Sequence, residues 1–520
     1  MARFQAIFWL LLQTVVAIQL DVDDPASLKS AASTAAKKLL SYYVGDQPGN
    51  EVGILPLPYY WWEGGAMWMT LLDYWKITGD DTYNARVKAA MLYQASPTKD
   101  FLPQEYRGQL GNDDQAFWAM AAMNAVEYNL PDSTEPKDPS WLALVQAVFN
   151  EQVARWDSTK CGGGLFWQIY SGNKGALLKN TISTGCFFHI AARLARYSGD
   201  QLYENWANTA WDWMKAVDLI DNNWSVYDSV DSTQNCSTPA KVQWTYNAGT
   251  LMAGAATMYN LTGQEKWKNR TQGLVDTTIF AFFPNGIMKD VCEQNKVCNN
   301  DQLSFKAYLS AWMARTALLA PFTYSQIIPV LKTSAVAAAK QCSGGTDGTT
   351  CGIEWFMNST YDGTNGPGQQ MSAMEVFLSA SILNNTTSDS SFIPLTNQTG
   401  GTSKNDPTAG DIGTGSQVPI IAPATTKDRI GAAILTAFFC TMDGNTGPLI
   451  KEKRMSAFVL PLHGKTSQKG NMKEKETEVL DLRHSGPGLR SSKTGSQMPE
   501  KPDGIQSNPL PIYRGGTMQT

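Results

Sequence analysis

The sequence predicts an all-α fold, an α/α barrel in which helical hairpins, six of them expected, close into a toroid. Three observations predict it. Between residues 25 and 385, apolar residues recur at three- and four-residue spacing almost throughout, while alternating strand patterns are scarce. One phrase repeats where helices should meet: Tyr74 to Gly79-Asp80 to Tyr83, Tyr197 to Gly199-Asp200 to Tyr203, and Tyr259 to Gly263-Gln264 to Trp267. In each, a glycine takes the left-handed turn that ends a helix. In two an Asp follows to cap the next, and an aromatic folds back on the join. Finally, 520 residues suffice for one large core or two ordinary ones, so a two-domain helical array is the competing arrangement.

In chain order, the spacing predicts helices over 27–43, 65–76, 115–129, 141–156, 184–197, 202–217, 248–261, 264–282, 303–319 and 326–341. Residues 162–170 are the best exception and read as a local loop or hairpin.

The ends differ from the middle. One positive charge at Arg3, an apolar run from Ala6 to Leu12 and a small-residue exit near Ala17 describe a signal peptide over 1–19, too short to span a bilayer. Sequons at Asn223, Asn235, Asn260, Asn269, Asn358, Asn384, Asn385 and Asn397 fit the secretory route. The eight Cys then meet an oxidising compartment. Cys292 with Cys298 and Cys342 with Cys351 are close enough to staple short loops, while Cys161, Cys186 and Cys236 leave at least one of the three unpaired. Residues 20–385 read as the folded domain. Residues 386–429, mostly Thr, Ser, Gly, Asn and Pro, read as a solvated stalk. The apolar segment 430–442 resembles the tail of a GPI-attachment signal, with Gly410, Gly413 or Ser416 as attachment candidates. Such a tail should end a protein, yet a polar, basic segment runs on over 443–520. We expect that segment to be foreign to the mature protein, as a retained intron would be; the alternative is a real tail without an anchor.

Composition excludes much chemistry. With 17% charged residues and a net charge of −5, no basic field argues for nucleic acid. Three His leave little room for a His-based metal site or a Ser-His-Asp triad, and the Cys are better spent on disulfides, so neither metal nor organic cofactor is expected. In their place stand 17 Trp, 19 Tyr and 19 Phe, side chains that fill a core or stack on sugar rings.

The informative motif is Gly111-Asn112-Asp113-Asp114-Gln115. Asn112 and Gln115 read as a variant capping box, which puts Asp113 and Asp114 in the first turn of a helix. There the helix N-terminus favours an ionised carboxylate, while mutual repulsion raises the pKa of whichever one holds a proton. One charged and one protonated carboxyl is the division of labour that glycosidic cleavage needs. The plain alternative is a pair of dipole complements.

This motif resembles the catalytic motif of glycoside hydrolase family 76, the endo-α-1,6-mannanases. Four further stretches resemble its fungal GPI-anchored branch: Pro58-Tyr59-Tyr60-Trp61-Trp62-Glu63-Gly64-Gly65-Ala66-Met67-Trp68, Cys161 to Gln168, Lys179 to Gly185, and Gln243 to Gly249. The resemblance covers roughly residues 20–440. It implies an α/α barrel with retaining chemistry, Asp113 as nucleophile and Asp114 as general acid/base. It also implies a role in wall biogenesis, trimming α-mannosides or moving GPI-linked mannoproteins onto wall glucan. The tail past Asp443 departs from that pattern.

Further binding candidates come from the same stretches. Trp61 and Trp62 offer a stacking platform beside a Gly turn, with a buried pair packing the barrel as the equal alternative. Trp167 and Gln168 follow three glycines, which suits a loop at a cleft mouth or, equally, a disulfide-tied structural turn. Asn180, Tyr246 and Asn247 carry neutral side chains able to bond sugar hydroxyls, with plain helix capping as the rival role for the two Asn. Asn300-Asp301-Gln302 echoes the catalytic motif at another helix start, so Asp301 is a candidate for orienting a hydroxyl, with a simple N-terminal cap as the stronger rival role and Lys306, one turn later, as its pairing partner. Asn112 and Gln115 complete the set. The sequence therefore reads as a secreted glycosidase acting on α-mannan or a GPI glycan, with wall glucan as a transglycosylation acceptor. Membrane association is expected only through a GPI anchor. A non-catalytic, mannan-binding wall scaffold is the alternative from another class.

Overall fold

A computed structural model describes residues 18–357, 359–382 and 390–410. Twelve α-helices lie among them. Six form a closed inner ring: α2 (Trp61–Thr78), α4 (Asn112–Glu127), α6 (Thr181–Ser198), α8 (Thr245–Thr262), α10 (Phe305–Leu319) and α12 (Pro367–Ile382), each touching the next and α12 returning to α2. Their sequences are apolar or small on nearly every side, as a helix packed all round requires. The outer helices α3 (Asn84–Gln94), α5 (Trp141–Ala154), α7 (Gln201–Ala216), α9 (Glu265–Phe282) and α11 (Tyr324–Gln341) each follow and pack on an inner one. The N-terminal α1 (Pro25–Leu40) packs on α12 and supplies the sixth pair. The fold is the expected α/α barrel of six hairpins, and the two-domain array is not observed among these residues.

The repeated phrase does what its residues dictate. Gly79, Gly199 and Gly263 end α2, α6 and α8 at φ 80°, 75° and 63°, a left-handed turn that costs a side chain but not glycine. Asp200 caps α7 through Leu202 N–H. Asp80 does not cap α3; it closes the preceding turn, accepting from Thr82 and from the Tyr74 hydroxyl at 2.5 Å. Tyr83 folds back on Tyr74 at the join as expected, whereas Tyr203 packs on Phe149 of α5 and Trp267 on Phe188 of α6 and Trp211 of α7, so these two aromatics tie neighbouring hairpins together instead. Residues 162–170 form no hairpin with themselves. Phe166 and Gln168 instead bridge antiparallel to Lys179 and Gly111, beside β1 (Leu178–Asn180), which pairs with β2 (Ser229–Asp231).

Cys292–Cys298 and Cys342–Cys351 are bonded, Cys161 pairs with Cys236, and Cys186 is the buried free thiol. The stalk does not begin at 386. Residues 393–410, polar by composition, form a strap bound through backbone and amide groups. Leu395 N–H donates to Glu127 O, Asn397 N–H to Tyr197 O, and Lys404 N–H to Asp132. The strap then climbs α5, bonding Gln146 and Asn150 in turn. The signal peptide, Asn358, Asn384, Asn385, Cys440, and the segments 411–429, 430–442 and 443–520 lie outside the described residues.

The inner helices run parallel, so all six start at one end of the barrel and finish at the other. At the finishing end, a buried triad ties three of them together: Glu127 of α4 meets Arg193 of α6 at 2.6 Å and Arg315 of α10 at 2.7 Å. The starting end opens into a cleft of about 1550 Å³, open to solvent.

Candidate active site

The cleft is built from the first turns of five inner helices and the loops before them. Asp113 and Asp114 project from the second and third positions of α4 into its floor. The cap of α4 is Gly111, not Asn112: the Asp114 carboxylate reaches back and accepts from Gly111 N–H at 2.5 Å. Both carboxylates fold over this glycine so closely that an added Cβ would sit 2.3 Å from Asp113 Oδ1 and 2.6 Å from Asp114 Oδ2. Ser183, on the neighbouring α6, donates its hydroxyl to Asp113 Oδ1 at 3.2 Å.

Electrostatics separate the pair. Burial pushes both carboxyls up. Asp113 is held to about 7 because its own N–H, Ser183 and the Asp114 N–H stabilise its anion. Asp114 rises well above the carboxylate range, since the Asp113 charge adds to burial and outweighs the Gly111 amide. The two titrate as one unit, and the arrangement favours a proton on Asp114 with the charge on Asp113.

Asn112 and Gln115 do not reach the cleft. Both are buried in a clamp beneath it. Asn112 accepts from Arg155 Nε at 2.8 Å and donates to Phe166 O at 2.8 Å, while its backbone N–H donates to Trp167 O. Gln115 donates to Asp100 O and Glu151, and accepts from the Arg155 guanidinium. Burial holds the Glu151 carboxyl near 8. Together these groups fix the start of α4 against α5 and against the extended segment carrying Trp167 and Gln168.

Trp61 is likewise absent from the cleft. Its ring stacks on Trp118 at 5.2 Å and its indole N–H donates to Gln94, so it packs α2 against its neighbours. Trp62 faces the cleft, donating to Asp301 Oδ1 at 3.0 Å and packing against Phe117. Asn299 and Gln302 cap each other's backbone, which frees Asp301 to face the cleft. Lys306 pairs not with Asp301 but with Glu293 at 3.1 Å, and its ammonium sits 3.8 Å from the Trp355 ring centre.

On the opposite side Tyr246 stacks on Phe305 at 3.7 Å, nearly parallel, with Trp244 edge-on to Phe305. Asn180 both caps α6, accepting from Ser183 N–H, and lines the cleft. Trp167 and Gln168 line it too. Gln168 accepts from Asn173, and the Trp167 ring packs over Gly175. Asn247 lies buried behind the wall and reaches it only through Asp228, at 3.4 Å. Asp228, Ser183, Phe117, Trp244 and Phe305 are site residues that sequence reasoning missed. Asp228 immediately precedes β2 in a stretch with no motif, and only the pairing of β1 with β2 carries it to the cleft. Ser183 follows Asn180 by one turn, a spacing that gave the one usable signal. The result is two aromatic walls over a carboxylate floor, with Glu63 buried behind Trp62 and raised by burial and by Asp301 to about 8.

The sequence model of glycosyl hydrolase family 76 matches residues 27–391. The mannan endo-1,6-alpha-mannosidase DCW1 of Saccharomyces cerevisiae is 46% identical over 426 residues, covering 81% of this chain and 92% of its own length. The Dfg5 of Chaetomium thermophilum, solved in complex with glucosamine, is 41% identical at a TM-score of 0.72, covering 75% of this chain and 97% of that one. An α-1,6-mannanase of Salegentibacter sp. HEL1_6 is 18% identical at a TM-score of 0.56 and shares the fold, over 68% of this chain and 99% of its own. The barrel, the adjacent carboxylates at the start of α4 and these likenesses agree: the chain belongs to glycosyl hydrolase family 76.

Proposed function

We propose that this protein is a retaining glycoside hydrolase that cleaves α-1,6-mannosidic linkages of wall mannan or of a GPI glycan. The observation that carries the reading is the electrostatic split between Asp113 and Asp114 on the floor of an aromatic-walled cleft. Asp113, ionised and oriented by Ser183, attacks the anomeric carbon; Asp114, protonated, gives its proton to the leaving oxygen. The mannosyl–Asp113 ester is then opened by a water or a sugar hydroxyl that Asp114 deprotonates. Trp62, Phe117, Tyr246 and Phe305 offer faces for sugar rings, and Asp228, Asp301, Asn180 and Gln168 offer acceptors or donors for hydroxyls.

The 46% identity to a mannan endo-1,6-alpha-mannosidase supports the linkage. A second reading is favoured by one observation: a relative at 41% identity binds glucosamine, an amino sugar whose ammonium suits the carboxylates Asp228 and Asp301. On that reading the donor is a GPI glycan and the acceptor a wall glucan. Placement at the wall, with a GPI anchor attached beyond the strap, belongs to the same proposal. The test is incubation of the protein with a fluorescently tagged α-1,6-mannooligosaccharide, with and without a glucan acceptor. Shorter mannosides establish hydrolysis, and hybrid products establish transfer. Binding without any product, unaffected by loss of both carboxylates, would replace the enzyme with a scaffold.

A further inference from the structure

The large hydrophobic side chains that the fold leaves exposed are unevenly placed. Five aliphatic ones lie on loops at the end of the barrel where the cleft opens. Leu57, 89% exposed, lies three residues before Tyr60 of the lining, and Leu177, 59% exposed, precedes the lining residue Leu178. Val291 and Val297, the latter 67% exposed, sit on the Cys292–Cys298 loop that leads into Asn299. Met357 ends the turn whose Glu354 pairs with Lys296 of that loop. Tyr93 and Phe280 stand in the last turns of α3 and α9, outer helices that return toward the cleft end. Among the described residues, Leu202 at the start of α7 is the one exposed large hydrophobic placed toward the opposite end.

Aliphatic tips do not suit a polysaccharide, whose rings stack on flat aromatic faces. They suit hydrocarbon. The loops at this end also carry the exposed cations Arg107, Lys174, Lys241 and Lys296 among the exposed acids Asp46, Glu105, Asp218 and Asp347, a mixed-charge collar around apolar tips of the kind an interfacial surface presents to headgroups. The strap supplies an independent direction. It starts at the finishing end of α4 and α6 and climbs α5 to Asn150, toward the cleft end, before Gly410. Nineteen residues separate Gly410 from the apolar run that begins at Ile430.

We propose that the rim of the cleft docks directly on a lipid bilayer, so that the active site faces the membrane and takes glycans displayed at its surface. The contact goes beyond the mannosidase reading and does not depend on a lipid anchor. Among the described residues no helix could cross a membrane, so the docking is interfacial.

The test uses the full chain carrying Cys440→Ser, with a single cysteine introduced as Leu57→Cys, Leu177→Cys or Leu202→Cys and labelled with an environment-sensitive fluorophore. The probe surface is vesicles of phosphatidylcholine with about a third phosphatidylserine. Blue-shifted emission and shielding from an aqueous quencher at positions 57 and 177, with neither at 202, is the expected result. No change at 57 and 177, equal change at all three positions, or a change with mannan or glucan but not with vesicles would each overturn the proposal. A triple variant, Leu57→Ser, Leu177→Ser and Val297→Ser, should lose the vesicle-dependent shielding of a label at Tyr93→Cys at least tenfold in vesicle concentration. It should still cleave soluble α-1,6-mannooligosaccharide at the parent rate. Cleavage absent from parent and variant alike would count against the mannosidase and leave the docking result standing.

Discussion

At the scale of single residues, Gly111 shows how little of a site needs to be chemically active. Its missing Cβ is the space into which both carboxylates fold. Gly111→Ala forces both carboxylate ends to move and presses more gently on the Trp167 carbonyl, 3.0 Å from the new Cβ, so the expected effect falls mainly on turnover. A loss of about 100-fold in kcat, with a melting temperature within a few degrees of the parent, is predicted, since misplacing a reacting group by about 1 Å costs that much. Steady-state kinetics paired with a thermal melt check it. Adjacent Trp61 and Trp62 make the opposite point. Neighbours on a helix diverge by about 100°, so one faces the cleft and the other packs behind it. Trp61→Ala should destabilise by about 3–5 kcal/mol in denaturant unfolding, whereas Trp62→Ala should mainly raise KM. The sequence offers both as equal platforms, because burial is decided by which way α2 is rotated in the ring. Asn112 and Gln115 were drawn into the site by their spacing, but spacing cannot show that Arg155 of another helix waits beneath them.

At the scale of elements, the parallel inner helices make the two ends of the barrel electrically different. Amide ends meet at the cleft and carbonyl ends meet below, and the guanidiniums of Arg193 and Arg315 sit at the carbonyl ends. Burial alone would raise Glu127, but Arg193 and Arg315 outweigh it and hold the carboxyl below its usual value. Glu127→Gln leaves two guanidiniums buried without their counter-charge. It should cost about 3–5 kcal/mol in denaturant unfolding, with kcat unchanged in the surviving folded fraction because the triad lies at the far end from Asp113. Ten of the twelve helices were legible from periodicity. The two that were not fail for physical reasons. Helix α3 is only 11 residues long and its apolar residues are spread round it without a stripe: Val87, Ala90 and Met91 are buried while Tyr93 is exposed. Helix α12 opens on Pro367-Gly368 and is buried all round, so small polar residues such as Ser372 and Ser379 interrupt any apolar stripe. The strap was hidden by the same logic: it binds by backbone and amide hydrogen bonds, which composition does not register.

At the scale of the whole molecule, the carboxyls enclosed by the barrel set its response to pH. Burial raises Glu63 to about 8, Asp73 to about 6, Asp290 to about 6 and Glu293 to about 7, above ordinary values of 3.8 to 4.5. A raised carboxyl favours the folded state while protonated. Its contribution is full below the unfolded pKa near 4 and is lost as pH climbs through 6 to 8. Glu127, held low, loses its contribution only as pH falls below the ordinary carboxylate range. Thermal unfolding should therefore show a higher melting temperature at pH 5 than at pH 8, with the decline concentrated between pH 5 and 8. An equal or higher value at pH 8 would mean that these groups are ionised in the folded state. Activity follows a different course, since Asp113 must lose its proton while Asp114 keeps its own. The rising limb of kcat/KM should fall near pH 7, above the range of an exposed aspartate.

The central claim is the division of roles between two neighbouring carboxyls, and the configuration of the first product tests it most directly. Proton NMR during cleavage of an α-1,6-mannooligosaccharide should show the α-anomer at the new reducing end before mutarotation. Asp113→Asn should abolish the signal while leaving the far-ultraviolet circular dichroism of the helical barrel unchanged. A β-anomer appearing first, or an Asp113→Asn variant that turns over at the parent rate, would contradict the account.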